Sequence, residues 1–134
     1  MKGQDKCDKT VNEKRPVNLD IGSIELPITA YVSLLHRVSG VISVLGVAVL
    51  LWILEASLNS EESFNAIKAC AGSFVCKFIL WATLSALTYH TLAGIKHLIM
   101  DMGIGETMEG GVLGSKITLA IAIVLIGLIG VCIW

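Results

Sequence analysis

The sequence predicts an all-α integral membrane protein with three transmembrane helices, and three observations carry that prediction. Its 134 residues are 54% hydrophobic and only 16% charged, too apolar a balance to coat the surface of a small soluble domain. Three apolar blocks, at residues 38–58, 78–100 and 117–134, approach the ~20 helical residues needed to cross a hydrocarbon core of ~30 Å. Two polar, glycine-bearing stretches, "NSEESFNAIKACAGS" and "DMGIGETMEGGVLGS", separate the blocks and read as extramembrane loops.

Taken in order, residues 1–28 form a polar N-terminal segment, expected on the cytoplasmic side. No apolar core of a cleavable signal stands out in it, and Asp5, Asp8, Glu13, Asp20 and Glu25 are unlike the acid-poor composition of a transit peptide. A net charge of −1 gives no reason to expect nucleic acid as a partner. The membrane domain is expected over residues 29–134, with helices at about 29–58, 70–101 and 115–134. In "LPITAY", Pro27 sits at or just before the first helix N-terminus, where a missing N–H costs nothing. The first connector has room for a short amphipathic turn. The second, "GIGETMEGG", follows no strand and lacks the lysine of a phosphate loop, so it reads as a flexible linker. Cys7, Cys70, Cys76 and Cys132 form no CxxC pair and read as free thiols. Trp52, Trp81 and Trp134 read as interfacial belt residues, and Gly127 and Gly130 as sites of close helix packing.

Basic residues set the expected orientation. Lys2, Lys6, Lys9, Lys14 and Arg15 precede the first span and Lys116 follows the second, whereas the first connector offers only Lys68 and Lys77. The positive-inside rule then places the N-terminus and second loop in the cytoplasm and Trp134 outside. The start of helix one and the end of helix two therefore share a membrane face. All three histidines, His36, His90 and His97, fall in those two places, together with Arg37, Lys96 and Asp101.

In "SLLHR", Ser33 and Arg37 are four residues apart and lie on one helix face, with His36 flanking them. A hydroxyl and a guanidinium so placed can donate hydrogen bonds to a carbonyl or an anion at the membrane boundary. The plainer alternative is an arginine snorkelling to lipid phosphates and a serine bonded back to its helix. In "YHTLAGIKHLIMD", His90, Gly94, His97 and Asp101 form a stripe, and His90 lies about 16 Å of helix from Asp101, well inside the hydrocarbon. A histidine at that depth suits an axial haem ligand, a proton relay or an interhelical hydrogen bond. Gly94 leaves space for a flat cofactor or a second helix. Lys96 and His97, nearer the surface, suit haem propionates or lipid headgroups. A haem between helices takes two axial ligands, and one deep histidine implies that the second comes from another chain.

"RPVNLDI", "LPITAYVSLLHRVSGV" and "YHTLAGIKHLIMDMG" together resemble, in order and spacing, the cytochrome b membrane-anchor subunits of bacterial succinate dehydrogenase, respiratory complex II. The resemblance runs from Arg15 to Trp134. It implies a three-helix anchor that packs with a second anchor subunit and holds haem b jointly with it. An iron–sulfur subunit and a flavoprotein subunit would sit on the anchor, in a bacterial inner membrane, and the isolated chain would be inactive. Electrons would pass from succinate through iron–sulfur clusters to ubiquinone, joining the tricarboxylic acid cycle to the respiratory chain. By the same resemblance Ser33 and Arg37 match the quinone-site serine and arginine, and His90 the axial haem ligand. His36 and His97 match histidines near the propionates or the quinone pocket. The family commonly has arginine where this chain has Lys96, which keeps the charge and loses the bidentate fork. A cofactor-free anchor, a fumarate reductase anchor and a small proton-coupled transporter are the competing readings.

Overall fold

The computed structural model describes residues 26–134, so Cys7, "RPVNLDI" and the basic residues of the N-terminal segment lie outside it. Four helices follow in order: α1 (Ile28–Leu58), α2 (Glu61–Ala71), α3 (Phe74–Asp101) and α4 (Met108–Ile133). All but α2 are long and apolar enough to cross a membrane. At 1.5 Å per residue, the 31 residues of α1 reach about 46 Å, so its ends project beyond the hydrocarbon.

Each helix start has a local cause. Pro27 is the N-cap of α1, in extended conformation with φ −65° and ψ 154°. The first connector forms a complete helix rather than a turn, because Ser60 and Ser63 cap one another reciprocally. Ser73 then caps α3 by accepting from the Cys76 N–H at 3.3 Å, so the second span begins at Phe74 rather than at residue 70. Between α3 and α4 the chain turns through Gly103 and Gly105, with φ of 81° and 76°, a region that L side chains avoid. Thr107 caps α4 by accepting from Gly110 N–H at 3.1 Å. The linker expected there therefore ends at Thr107, and the third helix starts seven residues earlier than residue 115.

α3 is the central helix and packs against both α1 and α4. The interior is small and polar: Val32, Ala93 and Ala122 are buried beside Ser39, Ser43, Thr83, Ser115 and Thr118. Large aliphatic and aromatic side chains face outward. Lipid supplies no hydrophobic drive between helices, so such contacts rest on close packing and interhelical hydrogen bonds. Tyr89 Oη donates to the Val32 carbonyl at 3.0 Å, joining α3 to α1. Trp81 Nε1 donates to the Ile126 carbonyl at 3.2 Å, joining α3 to α4. A Cβ at Gly46 would collide with Thr83, so this glycine sets how closely α1 and α3 approach. Gly130 likewise faces Trp81, whereas a Cβ at Gly127 would meet nothing within 4 Å in this chain.

Candidate intramembrane histidine site

The three histidines, 61 residues apart at their extremes, meet between α1 and α3. His36 projects from α1, about 12 Å along the helix from Ile28, and His90 from α3, about 16 Å from Asp101. Their rings stack with centroids 4.3 Å apart and an interplanar angle of 11°. His97, two turns along α3, tilts against the other side of the group, 5.2 Å from the His36 ring. His90, Gly94 and His97 form a stripe on the face of α3 that meets His36, with Gly94 opposite the His36 ring. A Cβ at Gly94 would lie 3.5 Å from His36 Nε2, at ordinary contact distance.

The geometry fixes the His90 tautomer. Its Nδ1 lies 3.0 Å from the His36 carbonyl oxygen, and a carbonyl can only accept, so Nδ1 carries the proton. Ser39 Oγ donates to the same carbonyl at 2.8 Å and stands 3.5 Å from His90 Nδ1, closing the polar corner. In the neutral ring Nε2 is then the lone-pair nitrogen, and no hydrogen bond to it is found among the described residues. This is how metal-binding imidazoles are set: a main-chain acceptor on one nitrogen orients the ring and presents the other. His90 thus bridges two helices through one ring nitrogen and leaves the other unbonded among the described residues. His36 Nε2 is buried with no hydrogen-bond partner among the described residues.

Gly40 and Ser39 belong to the site and were not singled out in the sequence. A Cβ at Gly40 would stand 2.9 Å from His90 Cε1 and 3.2 Å from Nδ1, so the glycine is the floor on which the ring rests. Their signal was the spacing from His36, three and four residues on, which puts both on the α3-facing side of α1.

Ser33 and Arg37 lie on α1 beside the cluster, Ser33 half-buried and Arg37 exposed. Five other hydroxyls, those of Ser39, Ser57, Ser85, Thr91 and Ser115, bond back to their own helices. No such bond is found for Ser33 among the described residues. Lys96 is brought elsewhere. One position before His97 it points about 100° around the helix, to α4, where Nζ donates to Ser115 Oγ at 3.0 Å and the stem packs on Gly114. Asp101 is exposed at the last turn of α3, at the membrane boundary.

An all-helical chain with three spanning helices and histidines stacked within its membrane portion defines a multi-pass membrane protein built around a polar intramembrane site. Residues 11–129 match the family described as succinate dehydrogenase/fumarate reductase transmembrane subunit, and the chain belongs to that family. It is 34% identical over 125 residues to the succinate dehydrogenase cytochrome b556 subunit of Coxiella burnetii, covering 92% of this chain and 100% of that one. The subunit of the same name from Paracoccus denitrificans is 32% identical, over 83% of this chain and 85% of the relative. That from Rickettsia felis is 30% identical, over 78% and 81% respectively.

Proposed function

We propose that this chain is the cytochrome b membrane-anchor subunit of a bacterial succinate dehydrogenase, holding haem b through His90 and contributing Ser33 and Arg37 to a ubiquinone site. The observation that carries the reading is the His90 Nδ1–H bond to the α1 main chain, which leaves Nε2 as a fixed donor to iron. The residues fit the group: a neutral imidazole, a glycine floor and an unpartnered buried nitrogen on the neighbouring histidine. A partner anchor subunit would supply a further ligand to the haem, and His36 and His97 would hold its propionates. Haem b, when bound, supplies a one-electron store beside the quinone. The polar N-terminal side faces the cytoplasm, where an iron–sulfur subunit and a flavoprotein subunit dock.

The chain's own residues bind and polarise the quinone. Ser33 Oγ donates to one quinone carbonyl, which enters laterally from the bilayer. Arg37, one turn on and charged at all relevant pH, favours the negative charge that develops on the quinone oxygens as electrons arrive. Arg37 is exposed, and at the headgroup boundary its guanidinium would lie where protons are available to complete quinol formation. Lys96, bonded to Ser115 on the α4 side, steadies the α3–α4 pair in this reading rather than touching the quinone.

The test is the dithionite-reduced absorption spectrum of the purified complex. A b-type spectrum is expected from the wild type, and its loss or displacement from His90→Ala. A wild-type complex without haem bands, or a His90→Ala complex with unchanged bands, would remove the assignment.

A further inference from the structure

A groove between α3 and α4 lies apart from the histidine site. Leu92 and Ile95 line it from α3, on the side of that helix opposite His90 and His97 at about 100° per residue. Leu113, Ile117 and Ile121 line it from α4, and its volume is about 410 Å³. One charge stands among these apolar walls, the Lys96 ammonium; every other lining residue is uncharged. A lysine near the end of a spanning helix commonly snorkels out to water. This one is turned sideways onto α4. Its Nζ donates to Ser115 Oγ at 3.0 Å, and the fully buried Ser115 donates its own proton to the Gly111 carbonyl at 2.8 Å. The hydroxyl is thereby fixed as an acceptor and holds the ammonium in the groove. An ammonium has three N–H donors, and neither an ion pair nor a second hydrogen bond to this one is found among the described residues.

We propose that the α3–α4 groove binds one anionic phospholipid, with its phosphodiester on the Lys96 ammonium and one acyl chain along Leu92, Ile95, Ile117 and Ile121. Depth points to a lipid. The 28 residues of α3 span about 42 Å against a hydrocarbon core of ~30 Å, an overshoot of about 6 Å at each end. Lys96 lies five residues before Asp101, about 7.5 Å along the helix, and so at the edge of the hydrocarbon, where lipid phosphates meet their tails. Charge selects the head. A phosphodiester brings the single negative charge that offsets a lone cation held between apolar walls, whereas a zwitterionic headgroup brings a competing cation with it. The walls select the tail, since a free phosphate leaves them unfilled. Glu109 and Lys116 line the adjoining groove beyond Leu113, and their opposite charges offset one another. The bound lipid ties α4 to the central helix, and the site depends on neither the haem nor the quinone assignment.

The test is photolabelling of the purified complex by phosphatidylglycerol that carries a diazirine in its acyl chain, with the labelled positions mapped by mass spectrometry. Labelling is scored relative to that elsewhere on the same complex. It is expected within residues 92–99 and 113–121, and unlabelled phosphatidylglycerol should compete with it, whereas phosphatidylcholine and inorganic phosphate should not. Lys96→Met should lower groove labelling roughly five-fold, the effect of one basic residue on an anionic lipid, and Lys96→Arg should keep most of it. Ile117→Trp fills the groove without altering its charge and should lower the labelling as well. Equal labelling by a phosphatidylcholine probe, or wild-type labelling of Lys96→Met, would leave only ordinary surrounding lipid and overturn the proposal. Competition by ubiquinone but not by phosphatidylglycerol would give the groove to a quinone and overturn it equally.

Discussion

Gly40→Ala probes the histidine site without touching a histidine. The added Cβ would sit 2.9 Å from His90 Cε1 and 3.2 Å from Nδ1, so the ring must retreat by about 0.5 Å to reach ordinary contact. Retreat is resisted, because His36 stacks on the ring at 4.3 Å and Nδ1 is bonded to the His36 carbonyl. Overpacking of this kind costs about 1–3 kcal/mol, and loss of the hydrogen bond about 1 more. Alanine's better helix propensity returns about 1 kcal/mol. The net is about 2 kcal/mol, which becomes roughly a thirty-fold loss of haem affinity if it falls on the ligating geometry. The assay is haem retained by the purified complex on serial dilution, read from the reduced-minus-oxidised spectrum. Gly94→Ala is the control, since its Cβ would meet His36 Nε2 at 3.5 Å, and it should retain haem nearly as well as the wild type. Equal retention by Gly40→Ala and the wild type, or equal loss from the two alanine variants, would refute the reasoning.

Three further outcomes are expected. Ser33→Ala and Arg37→Ala should leave succinate oxidation by a soluble dye largely intact while cutting ubiquinone reduction, roughly tenfold or more for the arginine, as expected when a group that stabilises developing charge is lost. Wild-type quinone reduction by both variants would move the site elsewhere. Tyr89→Phe removes the bond to the Val32 carbonyl and should lower the thermal stability of the detergent-solubilised complex by about 1 kcal/mol, read as a fall in Tm. Lys96→Met should leave the haem spectrum unshifted, because the Lys96 amine is bonded to Ser115 on the α4 side. A shifted spectrum would show that this amine reaches the propionates.

Much of the architecture was legible because the bilayer imposes a length. Three apolar blocks of near-spanning size give three helices, and a 3.6-residue period puts His90, Gly94 and His97 on one face. What was missed depends on contacts between elements or on caps with weak signatures. Ser60 and Ser63 form a capping box without the glutamate that marks one in sequence, so α2 read as a turn. Thr107 capped α4 inside a glycine-rich stretch, which hid the seven helical residues from Met108 to Gly114. Gly40 matters only because His90 lands upon it, fifty residues later in the chain. The Lys96 direction was available from the 100° step that separates it from His97, but its partner Ser115 on α4 was not.

The acceptor that orients His90 is a main-chain oxygen of α1, not a side chain. Every amino acid carries that oxygen, so the choice of which His90 nitrogen holds the proton is insulated from whatever residue occupies position 36. An engineer could recolour the pocket at that position, with a smaller, larger or charged neighbour, and leave the imidazole facing the same way. A side chain added at Gly40, or a change in the path of α1 itself, would turn it.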